Sequence, residues 1–257
     1  WKSPWGLGFP GWHIECSAMS MKYLGEHFDI HTGGQDHIPI HHTNEIAQSE
    51  AATGKKFVNY WLHGAFLMNK GQKVSKSTGG LYTISELEPL GFSPLHYRYL
   101  CLQTHYKKPL DFSLENLDAA KNAYERIKRK IIELKKEEHK GTDKTEDYKN
   151  QFLKAINNDL NMPEALKVFH TALDDFDFSP KKKLSLLQQF DKVLGINIKD
   201  MKESKIAPQK EVEKLLQARE QLRKNKQWAE ADILRERIRE KGFDIEDAQE
   251  GAKLRKI

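Results

Sequence analysis

Apolar positions recur at helical spacing through the middle of the chain. Leu114, Leu117, Tyr124, Ile127, Ile131 and Leu134 fall on one side of a single predicted helix, the mark of one buried stripe. A polar stretch from Gly141 to Asp147 interrupts the pattern, and further helices are predicted from Tyr148, from Pro163 and from Pro180. Ser179 is placed to cap the last of these, with Pro180 in its first turn and Gly195 just past its end. After Pro208 two charged helices are predicted over 211–225 and 228–241, closed by Gly242. The tail from Phe243 to Ile257 alternates around Gln249-Glu250-Gly251, as a hairpin does.

Before residue 111 the pattern is of another kind. Phe28-Asp29-Ile30-His31 reads as a short strand running into Thr32-Gly33-Gly34. A helix is predicted from about His41 to Thr53, stopped by Gly54. Residues 65–70 read as a strand, 71–80 as a polar loop, and 85–104 as two short helices punctuated by Pro89 and Pro94. No internal repeat or low-complexity tract is present.

Composition sharpens the division. Nine of the 11 histidines, both cysteines and four of the five tryptophans precede residue 111. Reactive side chains are thus gathered in the first two-fifths, ahead of a Lys/Glu/Leu-rich remainder. The 257 residues allow one large domain or two to three small ones, and their formal charge of +5 is too mild to announce nucleic acid. No apolar run approaches the roughly 18 residues of a membrane span. Two cysteines make no disulfide framework, so a reducing, cytoplasmic setting is expected.

Three groups of residues could carry chemistry. His41 and Glu45 stand four apart on the predicted helix and share a face, with Cys16 upstream. Thiolate, imidazole and carboxylate are all zinc donors, and sulfur biases the set away from magnesium or calcium. A helical His–Glu pair is also commonly a surface pair, and a lone cysteine a small buried hydrophobe, so residues alone leave both readings open. Gly33-Gly34-Gln35-Asp36 lies between a predicted strand and a helix, where glycines admit a nucleotide and an acid can hold ribose hydroxyls; an ordinary turn is the other reading. Lys73-Val74-Ser75-Lys76-Ser77 supplies two lysines three apart in a Gly/Ser-rich loop, suited to a triphosphate.

In order, these pieces resemble one family, the cysteinyl-tRNA synthetases of class I. The resemblance runs through Trp5 to Met19 (WGLGFPGWHIECSAM), Phe28 to Gly34, His41 to Gly54, Val58 to His63 and the KVSKS loop, which is similar to that family's KMSKS signature. It continues through His105-Tyr106, Asp111-Phe112-Ser113, Asn161 to Leu166 and Trp228 to Asp232. It implies an α/β C-terminal part of a Rossmann-type catalytic domain over 1–64, with the zinc ligands. A connecting fold with the KVSKS loop would follow over 65–113, then an α-helical bundle over 114–205 and a small α/β anticodon-binding domain over 206–257.

By the same resemblance Cys16, His41 and Glu45 bind one zinc ion, which holds the thiolate of L-cysteine. Trp12 and His31 line the amino-acid pocket. Gly33, Gly34 and Asp36 bind ATP, and Lys76, assisted by Lys73, meets the phosphates of ATP with Mg2+. The product is cysteinyl-tRNA(Cys), and a monomer is the expected state. Lys128-Arg129-Lys130, Lys181-Lys182-Lys183 and Lys253 to Lys256 could meet RNA phosphates, and Trp228 could stack on a base, with solvated faces and core packing as the plainer readings.

There are departures. Val74 stands for Met, Thr43 for a common Glu, and Thr78-Gly79-Gly80 for Leu-Gly-Asn. The family's HIGH motif and another zinc cysteine do not occur and are expected upstream of Trp1, so the chain alone is expected to be inactive. The rival expectations are a catalytically incomplete tRNA-binding fragment and a cysteine–sugar amide ligase of the mycothiol type. A zinc hydrolase ranks behind both, because no H-E-x-x-H pattern is present.

Overall fold

The computed structural model describes residues 1–69, 72–73, 82–202, 210–225, 227–248 and 251–256. It divides into two compact units, Trp1–Lys202 and Glu203–Ile257.

The first unit opens with two short antiparallel strands, β1 (Lys2–Ser3) and β2 (Gly6–Leu7). Helix α1 (Trp12–Leu24) follows, entered from an extended Gly11 and ended by Gly25 at φ 90°. No helix is predicted there from sequence, because its apolar residues do not form one stripe. Ile14, Met19, Tyr23 and Leu24 are all exposed. Strand β3 (Phe28–Gly34) leads through a short turn into a wide π-turn at Ile38–His42 and then helix α2 (Thr43–Thr53). The predicted start at His41 is therefore corrected: His41 lies on the π-turn, and only Glu45 lies on the α-helix. Pro39 stands in the first turn, where its missing N–H costs no hydrogen bond. Gly54, left-handed at φ 67°, closes α2 as expected.

Strand β4 (Val58–Gly64) returns parallel to β3, paired from Phe28↔Val58 to Gly34↔Gly64. This βαβ unit brings both strand ends to one edge. The chain continues as β5 (Leu67–Asn69), the shorter form of the strand expected over 65–70, and β6 (Gln72–Lys73). The predicted polar loop, with Lys76, otherwise lies outside the described residues. Helices α3 (Ile84–Leu87) and α4 (Pro94–Leu102) and strand β7 (Leu110–Asp111) complete a β6-β5-β7 sheet and its cover.

Helices α5 (Leu114–Leu134), α6 (Thr145–Asn157), α7 (Met162–Asp174) and α8 (Pro180–Leu194) form the bundle. The predicted stripe is buried at Leu117, Tyr124, Ile127, Ile131 and Leu134. Helix α6 begins three residues before the expected Tyr148, with Glu146 and Asp147 in its first turn. Asn161 caps α7 by accepting from the Glu164 N–H. Ser179 does precede α8, but its side chain makes no cap hydrogen bond, and Gly195 at φ 60° ends the helix. Phe152 and Phe190 stack at 4.0 Å in one continuous core.

Part of the charge in two of the lysine runs is paired within the fold. Lys183 is buried and donates to the Leu173 carbonyl, Lys182 pairs with Asp143, and Lys130 pairs with Asp174. Lys183 links α8 to α7 through that carbonyl, while the two ion pairs are largely exposed.

Residues 141–142 run tightly beside 177–179, with the Thr142 N–H donating to the Asp177 carbonyl and the Ser179 N–H to that of Thr142. A Cβ at Gly141 would lie 2.6 Å from both the Asp177 oxygen and the Ser179 nitrogen. Backbone cannot swing aside as a side chain does. Gly141→Ala is expected to lower stability by about 1–3 kcal/mol in a thermal melt; an unchanged melt would mean that the two segments part easily.

In the second unit, α9 (Lys210–Lys224) and α10 (Trp228–Glu240) pack with a hairpin of β8 (Phe243–Ala248) and β9 (Gly251–Lys256). Val212, Ile238, Phe243 and Ile245 form its own small core. Trp228 is exposed, and the Arg223 guanidinium lies over its ring at 5.9 Å.

Candidate metal centre and its surroundings

The π-turn and α2 aim His41, His42 and Glu45 inward, and α1 brings up Cys16. One donor atom each of Cys16, His41 and Glu45 lies within 4.8 Å of the others. Glu45 is fully buried. Its Oε2 accepts from His31 Nε2 at 2.8 Å, whereas its Oε1 has no hydrogen-bond partner, with His41 Nε2 at 3.5 Å. A buried carboxylate oxygen in that state costs free energy unless a cation or donor meets it.

The proton equilibria of the neighbours fit the same picture. Burial, reinforced by the negative charge of Glu45, pushes the Cys16 thiol up. Burial lowers His41 despite the pull of Glu45, so its imidazole is neutral and has a lone pair to give. A divalent cation between these groups would reverse the thiol's preference, because a coordinating thiol is deprotonated by the metal. Soft sulfur, imidazole and carboxylate together suit zinc, and three protein donors leave a position for another ligand. The residues present thus fit the ion.

Trp12 is more than half exposed, and its ring tilts over His41 at 4.6 Å, edge-on to His37 at 5.4 Å. His31 is held by Glu45, and with His42 and Glu45 it forms a second triad of donors within 4.8 Å, sharing the one carboxylate. His42 Nδ1 and His63 Nε2 are hydrogen-bonded at 2.7 Å. Burial and the surrounding imidazoles push His42 down to about 4. Trp61 packs against both His31, at 4.9 Å, and His42, at 4.7 Å.

Sequence reasoning did not single out His37, His42, His63 or Trp61. The signal available was the crowding of histidines before residue 111. The alternation of Trp61 and His63 along a strand was not recognised because β4 itself was not.

Gly33, Gly34 and Asp36 lie where β3 and β4 end, the edge at which open parallel sheets bind ligands. Packing against the buried His42 ring already favours glycine at 33, whereas the neighbour at 34 is an exposed side chain that can turn aside. A Cβ at Gly33 would lie 2.5 Å from the His42 ring, and one at Gly34 would strike the Asp36 carboxylate. Lys73 is placed by its backbone on β6, while Lys76 lies outside the described residues. The structure therefore joins Cys16, His41, Glu45, His31 and Trp12 in one cluster and leaves the lysine loop apart from any description.

Two family models match the chain: the tRNA synthetases class I (C) catalytic domain over residues 1–122, and the cysteinyl-tRNA ligase anticodon binding domain over 209–255. Cysteine–tRNA ligase 1 of Burkholderia lata is 43% identical over 255 residues, covering 99% of this chain and 53% of that protein. The cysteine–tRNA ligase of Treponema denticola is 41% identical over 278 residues, covering 96% of this chain and 56% of its own length. The chain spans about half the length of the curated relatives it matches. Its fold is that of the C-terminal part of a class I synthetase catalytic domain, with helices and an anticodon-binding domain after it.

Proposed function

The chain belongs to the cysteine–tRNA ligase family of class I synthetases, and from that premise we propose that it serves an enzyme that activates L-cysteine with ATP and Mg2+ and charges tRNA(Cys) in the cytoplasm. The observation that carries the metal side of this reading is the buried Glu45 oxygen without a partner, beside Cys16 and His41. Cys16, His41 and Glu45 would hold zinc, which supplies a soft acid that prefers the substrate's thiol to the hydroxyl of serine. That preference matters because serine differs by one atom, and a pocket judging size alone rejects such a neighbour weakly.

This chain's own residues have separate tasks in the reading. Glu45 would be one of the residues holding the metal, and the hydrogen bond from His31 to its Oε2 orients the carboxylate. Trp12 forms a wall of the amino-acid pocket, and its ring over His41 limits water at that imidazole. Gly33, Gly34 and Asp36 receive the adenosine at the strand ends. Lys76 and Lys73 meet the phosphates and offset charge as the cysteine carboxylate attacks the α-phosphorus and pyrophosphate leaves. The terminal ribose hydroxyl of the RNA then takes the cysteinyl group. Residues 114–205 and 206–257 would lie along the RNA and at its anticodon.

The match over 209–255 to an anticodon binding domain favours tRNA over an amino-sugar acceptor. A second reading, an RNA-binding part that needs its complement for catalysis, is favoured by the chain's coverage of only half of its relatives. Cysteine-dependent exchange of pyrophosphate into ATP, with serine as control, separates the readings. The 257-residue chain alone is expected to retain tRNA in a gel shift, weakening as salt rises, and to show no exchange. Exchange with cysteine and not serine would establish the complete chemistry in this chain; equal exchange with serine, or no tRNA binding, would overturn the ligase reading.

A further inference from the structure

A cavity of about 550 Å³ opens in the first unit, where α4 meets the end of β4, the start of β7 and the turn between α6 and α7. Its walls are mostly apolar, with Leu67, Leu102, Leu110, Leu160 and Met162 among them. That size and character suit the burial of a small organic molecule. The charges around the cavity are of one sign. Arg98, His105 and Lys108 line it, and among the described residues no carboxylate does. Arg98 donates to the carbonyls of Val193 and Leu194, which orient the guanidinium without neutralising it. Lys108 is exposed and has no ion-pair partner among the described residues. Asp159 precedes the lining residue Leu160, but Tyr106 and Lys107 hold its carboxylate. The result is an apolar hollow with a positive edge. Its Leu160 wall is set by an unusual backbone, since Asp159 and Leu160 both take a left-handed φ of 53°. Leu160 nevertheless stays 46% exposed, so its side chain still has apolar surface to give to a ligand.

We propose that this cavity is a binding site for a small amphipathic monocarboxylate, with its apolar body among the leucines and its carboxylate against Lys108 and Arg98. The two halves of the site argue for the two halves of the ligand. A phosphate alone would meet the positive edge and leave the apolar walls wet. A neutral hydrocarbon would fill the walls and leave both cations unmatched, and an amine would be repelled by them. Cys101 supplies a reporter, because its half-buried thiol is part of the cavity wall. The site is separate from the ligase reading: none of Cys16, His41, Glu45, Gly33, Gly34 or Asp36 lines it.

The test uses octanoate on the metal-free 257-residue chain. Titration calorimetry should show one saturable site per chain, weakened roughly fivefold or more by Lys108→Glu. That position is exposed, so the variant should melt as the parent does. Leu160→Asn keeps a residue tolerant of the left-handed backbone while removing an apolar wall, and it too should weaken octanoate. Alkylation by iodoacetamide, mapped by mass spectrometry, should slow roughly fivefold at Cys101 once the cavity is filled, and should not change at Cys16. Octylamine and inorganic phosphate should give no protection of Cys101. Octanol protecting as well as octanoate would reduce the site to an apolar void without preference for charge, and phosphate protecting as well would reduce it to an anion patch. Either result would overturn the proposal. So would uptake of octanoate that never saturates, equal protection of both cysteines, or affinity unchanged by Lys108→Glu. None of these readouts involves cysteine activation, so failure of the ligase reading would leave the cavity's assignment standing, and the reverse holds as well.

Discussion

Glu45→Gln is expected to abolish zinc retention while leaving the metal-free protein at least as stable as before. The two effects have one origin. The carboxylate is fully buried, with Oε2 satisfied by His31 and Oε1 3.5 Å from His41 Nε2 without a hydrogen bond. An amide keeps the bond from His31, removes the buried charge and offers an N–H to the neutral His41 ring. Removing an unsatisfied buried polar atom recovers about 1 kcal/mol. The same change deletes an anionic donor, and the loss of zinc affinity should exceed the roughly 10–100-fold that altering an outer-shell partner costs. Thermal melts with zinc and with a chelator give both readings. The unsubstituted chain should melt higher with zinc, by about 2.7 kcal/mol at a hundredfold excess over Kd, and the variant should show no such gain. Two results would defeat this account: zinc held as tightly by the variant, or a metal-free variant several kcal/mol less stable. The second would make Glu45 a structural partner of His31. Cys16→Ser should remove the zinc response as well, but with no gain in the metal-free state, because Cys16 is only half-buried and is not the group left without a partner.

How much of this was visible in residue order differs between the two ends of the chain. Helix α5 was readable because Leu117 to Leu134 bury one face and leave the other wet, so periodicity and packing carry the same information. Gly195 and Gly242 were readable as ends for a similar reason, since both take a positive φ that suits glycine. Helix α1 was hidden because Ile14, Met19, Tyr23 and Leu24 are exposed, so no apolar stripe separates inside from outside. The π-turn was hidden because a widened turn has no composition of its own, and Pro39 stands where an ordinary helix start also takes proline. At the metal centre, donor chemistry alone favoured a surface pair over a ligand pair. What periodicity could not convey is that His31 on a strand and Glu45 on the following helix meet, which needs the parallel return of β4 to set the strand at that depth.

Phe169→Ala and Phe176→Ala should differ by several kcal/mol although the residues are seven apart on neighbouring segments. Phe169 lies on α7 with no exposed surface, inside the continuous core of the bundle. Truncating it removes a large buried ring and leaves a cavity that helices fixed by their own hydrogen bonds cannot close, a loss of about 3–5 kcal/mol. Phe176 is 75% exposed and stacks on His139, at 4.6 Å, so its truncation should stay within about 0.5 kcal/mol. Urea unfolding followed by the amide signal of the bundle measures both. Similar losses in the two variants would mean that the core is not where the buried residues place it. Phe169→Ala bears on the site as well. The bundle core runs from Leu87 to Met201 and includes none of Cys16, His31, His41 or Glu45. Zinc stoichiometry should therefore be unchanged at temperatures where the weakened bundle is still folded. Loss of zinc before the bundle unfolds would show that the helices hold the metal cluster in place, making the two parts of the first unit one cooperative body.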